Sequence, residues 1–325
     1  MSNDIATLEK IKNIRESLDS QISKTIIGQK DIIEHLLISV VTKGHILLVG
    51  VPGLAKTLLI RSLSEALDLS FNRIQFTPDL MPSDITGTEI IEENRSSGKK
   101  EFKFVKGPVF SQVILADEIN RTPPKTQAAL LQAMAEQEVT TAGQTYKLDQ
   151  PFFVLATQNP IEQEGTYPLP EAQLDRFMME LKIEYPTLEE ELEIISTTTT
   201  ISEDKIISVI SAEDILEIQD LVRRVPVSEN VLNFAVNLVR ATRPDDSPLD
   251  FIKEWVRWGA GPRAGQNLIL GAKARALLNG RPTPEVEDIA ALAKPVLRHR
   301  IVRTFRAEAD GIDTDQIIGK IVASL

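Results

Sequence analysis

The chain contains no cysteine and only three histidines. Without cysteine it can form no disulfide, zinc-thiolate site or iron–sulfur cluster, and it has no thiol nucleophile. The histidines, His35, His45 and His299, lie far apart in the sequence and match no metal-ligand spacing, so we predict a structural role for each. The sequence therefore excludes thiol chemistry and offers no histidine-based metal site.

Long apolar runs are also missing, since no stretch approaches the roughly 18–20 residues that cross a bilayer. Residues Met1 to Glu16 mix charged and apolar side chains, which predicts an amphipathic helix rather than a signal peptide. The formal net charge of -11 disfavours nucleic acid as the main ligand, because a phosphate backbone is bound by clustered Lys and Arg. We therefore expect a cytoplasmic protein whose main partner is not a nucleic acid.

Between about residue 45 and residue 185, short β-type runs alternate with helical patterns. This alternation predicts an α/β fold with a mostly parallel sheet covered by helices. Continuous apolar runs predict central strands buried on both faces, at Ile46–Val49, Val113–Ala116 and Phe152–Ala156. Segments of alternating polarity predict strands nearer the edges, at Asn72–Phe76 and Met179–Ile183.

The dipeptide Tyr185-Pro186 marks a predicted domain boundary, because proline disfavours helix in the residue before it and helical patterns dominate beyond it. We expect an α/β domain with an N-terminal helix over residues 1–185 and a smaller all-α domain over residues 186–325. Four signals predict helix boundaries in the second domain: a capping box at Ser211 with Asp214, a cap at Ser228, a stop at Gly280 and a new start at Thr283-Pro284.

A basic stretch near the C-terminus contains Arg298, Arg300, Arg303 and Arg306. Charge runs of this kind usually cover a solvated face. We therefore expect a solvated or subunit-facing side of a helix, and no ligand.

The segment Gly50-Val51-Pro52-Gly53-Leu54-Ala55-Lys56-Thr57 lies between the first predicted strand and a helical pattern, as a phosphate-binding loop does. In such a loop, backbone N–H groups and a helix N-terminus surround the phosphates, a lysine adds positive charge and a hydroxyl binds magnesium. Lys56 and Thr57 fit the last two roles. The loop departs from the usual pattern at Ala55, where a second glycine normally stands. The nucleotide-contacting candidates are Gly50, Pro52, Gly53, Leu54, Ala55, Lys56, Thr57 and Leu58.

Polar residues follow the other two central strands. Asp117 and Glu118 end the second strand, and Asn159 follows the third. Because ligands of an open parallel sheet bind at the carboxyl ends of its strands, these residues should meet the glycine-rich loop at one edge. We predict that Asp117 holds magnesium through its water shell and that Glu118 is the general base for an attacking water. Asn159 would position this water or sense the γ-phosphate.

Two arginines are candidates for stabilising transferred phosphate. Arg176 lies just before the last predicted strand, and Arg263 lies where a helix of the second domain would begin. An arginine that a neighbouring subunit supplies to a γ-phosphate couples hydrolysis to assembly. Surface ion pairing is the alternative for each.

The motifs as a set resemble the AAA+ ATPases, and among them closely the MoxR family. The resemblance covers nearly the whole chain. It is carried by Ile27-Gly28-Gln29, Gly50 to Thr57, Phe76 to Gly87, Asp117 to Arg121, Ala156 to Pro160, Glu171 to Phe177, and Gly261-Pro262-Arg263. Alanine at the place of Ala55 is usual in MoxR proteins.

The resemblance implies a P-loop NTPase core of the AAA+ type followed by an α-helical lid, with ATP and Mg2+ bound between the subunits of a ring, expected to be a hexamer. It places Gln29 near the adenine and makes Asn159 sensor 1. It likewise makes Arg176 a trans-acting arginine finger and Arg263 sensor 2. Residues 88–106 would form the insertion typical of this branch and residues 138–148 a β-hairpin, both of them candidates to line the ring pore.

The leading hypothesis is an ATP-driven, chaperone-like remodeller of protein clients, which the resemblance links to von Willebrand factor A-domain partners or to metalloenzyme assembly. Three alternatives stay open: a DNA-translocating motor, a motor subunit of a metal chelatase, and a nucleotide-dependent scaffold with little turnover. The hairpin tip from Thr140 to Thr145 is neutral, which disfavours DNA as the cargo. A scaffold would need fewer of the predicted site residues.

Overall fold

The computed structural model describes residues 2–93, 100–141, 143–161, 165–200 and 205–325. Its strands are β1 (Ile46–Val49), β2 (Phe71–Gln75), β3 (Gly87–Glu93), β4 (Lys100–Lys106), β5 (Val113–Asp117), β6 (Glu138–Thr141), β7 (Gln144–Lys147), β8 (Phe153–Gln158), β9 (Met179–Lys182), β10 (Val256–Trp258) and β11 (Val302–Arg303). Its α-helices are α1 (Ser2–Ile22), α2 (Lys30–Val41), α3 (Lys56–Ala66), α4 (Pro82–Thr86), α5 (Pro124–Glu136), α6 (Glu171–Leu174), α7 (Leu188–Thr198), α8 (Ala212–Arg224), α9 (Glu229–Ala241), α10 (Asp250–Trp255), α11 (Pro262–Leu278), α12 (Val286–Leu297), α13 (Phe305–Ala309) and α14 (Thr314–Ser324).

A parallel sheet of five strands in the order β2-β5-β8-β1-β9 forms the framework of the N-terminal part. The three central strands are almost entirely buried, whereas β2 and β9 at the edges alternate between buried and more exposed residues. Central strands covered on both faces must be apolar throughout, which is why their continuous apolar runs predicted them correctly. The predicted α/β core with a helical lid is confirmed.

Two antiparallel hairpins project from this core. Strands β3 and β4 make up the described part of the predicted insertion over residues 88–106, of which residues 94–99 lie outside the described chain. Strands β6 and β7 form the hairpin predicted over residues 138–148, where Ala142 lies outside the described chain. Phe104 of β4 stacks on Tyr146 of β7 with ring centroids 4.4 Å apart, so the two hairpins pack against each other.

The C-terminal part is helical apart from β10 and β11, a short antiparallel ribbon that the all-α expectation missed. One buried apolar cluster extends from α1 across one face of the sheet into these helices, and a second cluster covers the other face. Among the residues that the structure describes, no helix combines the length and apolar character needed to cross a bilayer.

Three of the four predicted helix boundaries are found. Ser211 and Asp214 form a capping box, Ser228 caps α9, and Gly280 follows α11 with a φ of 71°. The start predicted at Thr283-Pro284 is wrong, because α12 begins two residues later, at Val286. There the Asp288 carboxylate accepts the backbone N–H of Glu285 and binds Arg275 and Arg281 as well, contacts that local sequence signals do not reveal.

The expectation of a solvated helix face for the basic stretch is wrong for its first two arginines. The side chains of Arg298 and Arg300 are only 10% and 2% exposed, and they pair with Asp315 and Asp175 respectively. Arg300 also donates to backbone carbonyls just before β9, including that of Phe177 at 2.6 Å. These arginines therefore join the C-terminal helices to the edge of the sheet.

Asp288 provides a test of how the helical part is held together. Its side chain is fully buried and binds Arg281 at 2.6 Å and Arg275 at 2.7 Å. Burial alone raises the pKa of Asp288, but hydrogen bonds from Arg281, the Glu285 N–H and Arg275 outweigh it, so the pKa is lowered. Removing one partner of a buried ion pair costs about 3 kcal/mol, so we expect Asp288→Asn to destabilise the helical part by this order.

Urea unfolding followed by tryptophan fluorescence measures this loss, since Trp255 and Trp258 both lie in the helical part. A carboxyl group with a depressed folded pKa stabilises the fold above its unfolded value of roughly 3.9, and this stabilisation is lost as pH falls through the folded pKa. The difference between wild type and Asp288→Asn should therefore be full at pH 7 and shrink in acid below that value. Asp310→Asn, at a 53% exposed side chain, is the control. A difference independent of pH would contradict this account.

Candidate active site

A cleft of about 450 Å³ opens at the carboxyl ends of the central strands. It gathers the glycine-rich loop, the ends of β5 and β8, and two residues of the edge strand β2. The lining residues are Pro52, Gly53, Leu54, Ala55, Lys56, Thr57, Arg73, Gln75, Asp117, Glu118, Thr157 and Asn159. The chain thus brings together most of the residues predicted to bind phosphate and metal.

The loop between β1 and α3 has the backbone that a phosphate-binding loop needs. Ala55 precedes the first residue of α3 in the left-handed conformation, with a φ of 52°. A Cβ built on Gly50 would lie 2.1 Å from the Ile183 side chain, so this loop starts where only glycine fits. The Lys56 ammonium donates a hydrogen bond to the Gly50 carbonyl. The N–H groups at the start of α3 therefore face the cleft beside a lysine.

Electrostatics at Lys56 combine two opposing effects. Burial lowers the pKa of Lys56, while the charges of Asp117 and Glu118 raise it. The lysine and the two acids are thus close enough to influence one another across the cleft.

One threonine hydroxyl holds the acidic pair in place. Thr157 Oγ1 donates to Asp117 Oδ1 at 2.6 Å and accepts the backbone N–H of Glu118 at 2.9 Å. Glu118 itself has a left-handed backbone, with a φ of 57°. Such a conformation in a residue other than glycine costs free energy and is common at functional sites.

Both carboxylates also accept hydrogen bonds from side chains that sequence reasoning missed. Asp117 Oδ2 accepts from Arg73 at 2.6 Å. Glu118 Oε2 accepts from Gln75 Nε2 at 3.1 Å and from Arg121 at 3.0 Å. Arg73 and Gln75 lie two positions apart at the carboxyl end of a predicted strand, so their side chains point to the same face of the sheet. This spacing is the sequence signal that could have identified them.

Asn159 is buried at the rim of the cleft. Its Oδ1 accepts the backbone N–H of Ile161 at 3.1 Å. This bond orients the amide and leaves its NH2 group as the donor available to a ligand in the cleft.

Three other predicted residues are not among those that line the cleft. Gly50 binds Lys56 as described, and Leu58 is 44% exposed on the first turn of α3. Gln29 precedes α2 in the left-handed conformation, and its Oε1 is buried with no hydrogen-bond partner in the described chain. Its neighbour Gly28 lies against the Glu190 side chain of α7.

Arg176 and Arg263 line a second cavity, of about 380 Å³, together with His45. Arg176 donates to the Leu131 carbonyl at 2.9 Å, and Arg263 pairs with Asp175 at 3.0 Å. Within one chain, then, the two predicted arginines are brought together but kept out of the cleft.

The side chains available in the cleft suit magnesium that is shared with water and phosphate better than they suit a metal bound by protein ligands alone. Among the described residues there is no group of three or more His, Asp or Glu side chains that could hold a metal ion. Magnesium commonly keeps several waters and takes one or two carboxylates together with phosphate oxygens. Thr57 and Asp117, which line the same cleft, match this need.

Comparisons with known proteins agree with this architecture. Residues 45–179 match the ATPase family associated with various cellular activities (AAA), and residues 251–321 match the AAA lid domain. Chaperone MoxR1 of Mycobacterium tuberculosis is 41% identical over 94% of this chain and 80% of its own length. The protein YeaC of Bacillus subtilis is 41% identical over 94% of this chain and 92% of its length. A crystal structure from Cytophaga hutchinsonii superposes with a TM-score of 0.89 and 46% identity, covering 98% of this chain and 97% of the other.

The unusual alanine of the loop gives a test of how the loop holds phosphate. Glycine adopts the left-handed conformation of Ala55 without strain, so we expect Ala55→Gly to keep nucleotide affinity within about twofold of wild type. Lys56→Ala removes the cation and should weaken binding more than about tenfold. Titration with a fluorescent ATP analogue measures both constants, and melting curves check that both variants fold. Equal losses in the two variants would contradict the assignment.

Proposed function

Because the chain belongs to the MoxR family of AAA+ ATPases, we propose that its cleft binds ATP with magnesium and hydrolyses the nucleotide. The observation that carries this proposal is the meeting of Lys56, Asp117 and Glu118 in one cleft beneath a helix N-terminus. Each group has a distinct task in phosphate chemistry, and their juxtaposition supplies all three tasks together.

Lys56 and the first N–H groups of α3 bind the phosphates. The Thr57 hydroxyl and Asp117 would hold the magnesium, which would supply positive charge to the phosphate oxygens. Thr157 supports this role of Asp117, because it occupies Oδ1 and so directs the carboxylate.

Glu118 orients a water molecule and takes its proton. A carboxylate can do so only when its own position is fixed. Here Gln75 and Arg121 both donate to Oε2, and Thr157 binds the backbone N–H. Asn159 adds a neutral amide donor that does not disturb the charge balance.

Gln29 is proposed to recognise the adenine. Its Oε1 is a buried acceptor without a partner in the described chain, and a buried acceptor left unpaired is costly. The exocyclic amine of adenine is a donor of the required kind. This match supports ATP as the nucleotide.

Arg176 and Arg263 are proposed to complete the cleft of a neighbouring chain. They share a cavity outside their own cleft, which supports action in trans. Asp175 binds both Arg263 and the buried Arg300, so the arginine-bearing segment is attached to the helical part. A head-to-tail contact of this kind can repeat around a closed ring, for which we propose six subunits.

The work done by such a ring is proposed to be remodelling of a protein client in the cytoplasm. The name chaperone for the relative MoxR1 supports a protein as the client. A von Willebrand factor A-domain protein is the partner that we propose. A DNA track is less favoured, since the described residues around the tip of the β6–β7 hairpin, Thr140, Thr141, Gly143, Gln144 and Thr145, carry no positive charge.

Glu118→Gln tests the chemistry. Glutamine keeps the size of the side chain but cannot accept a proton, so we expect steady ATP turnover to fall by at least about 100-fold. Nucleotide affinity should stay near that of wild type. Glu65→Gln, at an exposed carboxylate on α3, is the matched control. Turnover that survives the Glu118 change would remove Glu118 from the mechanism.

The same variant tests the proposed client. In the ATP-bound state, Glu118→Gln serves as bait for an A-domain protein in a pull-down, and Lys56→Ala serves as the negative control.

Mixing variants tests whether Arg176 acts in trans. Arg176→Ala and Glu118→Gln should each be inactive alone. In a mixed ring, however, the cleft of an Arg176→Ala subunit can receive the intact Arg176 of a Glu118→Gln neighbour. For random head-to-tail assembly of equal amounts, about a quarter of the sites are complete, so turnover should recover to that order. Size-exclusion chromatography of the mixture establishes that mixed rings form. Mixed rings without recovered turnover would show that the arginine serves its own chain.

A further inference from the structure

The edge strand β2 delivers two polar side chains to the metal-binding end of the cleft. Gln75 lies directly opposite Asp117 in the parallel register of β2 and β5, and Arg73 lies two residues earlier, on the same face. Arg73 has no role in the proposed function so far, and Gln75 serves there only to fix Glu118. Both line the cleft with Lys56 and Asp117.

Arg73 engages Asp117 through two nitrogens. Its Nε and Nη2 both donate to Asp117 Oδ2, at 3.1 Å and 2.6 Å. The other oxygen, Oδ1, accepts from Thr157 at 2.6 Å. Since a carboxylate oxygen has two lone pairs, Arg73 occupies the whole of the hydrogen-bonding capacity of Oδ2.

We propose that Arg73 is a positioning residue that competes with the metal for Asp117 and gives up Oδ2 when this carboxylate takes up the water shell of magnesium. This inference rests on the proposed function, because it assigns Asp117 to the metal. A water donating to Oδ2 needs a lone pair that an Arg73 N–H holds in this structure. The two arrangements therefore exclude one another at this oxygen.

Burial favours such an exchange. The Asp117 side chain is 16% exposed and well fixed, whereas the Arg73 side chain is 47% exposed. An ion pair whose cation is half in water is held weakly, so the guanidinium can leave at little cost. In this exchange Asp117 stays in place and the Arg73 guanidinium moves.

Gln75 gives the released guanidinium a second anchor. Arg73 Nη2 donates to Gln75 Oε1 at 2.6 Å, in addition to its bond with Asp117. Arg73 can therefore let go of Asp117 and remain in the cleft.

The test is the coupling between magnesium and nucleotide, measured at equilibrium. A fluorescent ATP analogue is titrated into each variant with excess Mg2+ or with EDTA, and the ratio of the metal-free to the metal-containing dissociation constant is compared. Arg73→Met keeps the length of the side chain but removes the charge. It should tighten binding with metal, because Arg73 no longer competes with the metal for Asp117. It should weaken binding without metal, because the negative charge of Asp117 is then left uncompensated beside the phosphates.

Both effects raise the ratio, and we expect an increase of at least about fivefold over wild type. Arg61→Met is the matched control, since Arg61 is 66% exposed on α3 and pairs only with Glu65 among its described ion partners. It should leave the ratio unchanged. Arg73→Lys keeps the charge and should shift the ratio in the same direction by less, which preserves the test if the methionine variant does not fold.

An unchanged ratio in a folded Arg73 variant would overturn the proposal. So would an equal weakening with and without metal, because this would make Arg73 a simple phosphate contact. Failure of the proposed function looks different: wild type itself would not bind the analogue, or would bind it with no dependence on Mg2+.

Discussion

The parallel register of β1, β5 and β8 is the constraint on which the candidate site depends. Leu155 of β8 lies opposite both Leu115 of β5 and Ile46 of β1, so the three strands end at nearly the same level. Thr157 consequently lies within 2.6 Å of the Asp117 carboxylate. A slip of one residue would turn Thr157 to the other face of the sheet and break this bond. The burial of the central strands on both faces opposes such a slip, and the apolar core thereby sets the geometry of the acids.

A second set of contacts joins the cleft's sheet to the helical part. Asp175, just before β9, binds Arg263 at the start of α11 and also Arg300, which reaches the carbonyl of Phe177. Arg176 is the next residue along the chain. If the helical part moves during a nucleotide cycle, these bonds offer a path by which the movement would reach the arginine-bearing segment. The proposed trans arginine would then leave or enter a neighbour's cleft as a direct mechanical consequence.

The sheet could be predicted from sequence because a strand covered on both faces must be apolar throughout, a property that each segment displays by itself. Features that depend on distant partners could not. The start of α12 follows from the arginines that bind Asp288, and the burial of Arg300 follows from an acid 125 residues away. Likewise, the alternation of β2 predicted an edge strand, but only its pairing with β5 shows that Arg73 meets Asp117. The predicted phosphate and metal residues meet because strand ends of a parallel sheet share one edge.

Charge in the cleft is close to balanced, although the chain as a whole carries a net charge of -11. Lys56 and Arg73 face Asp117 and Glu118, and all four line one small volume. A nucleotide arriving alone would add several negative charges to this balance with only the lysine uncommitted to an acid. A nucleotide arriving with magnesium would bring its own compensation, and in our proposal the water shell of the metal would take the place of Arg73 at Asp117. The pairing of charges within the cleft therefore favours binding of the nucleotide together with the metal, as we propose.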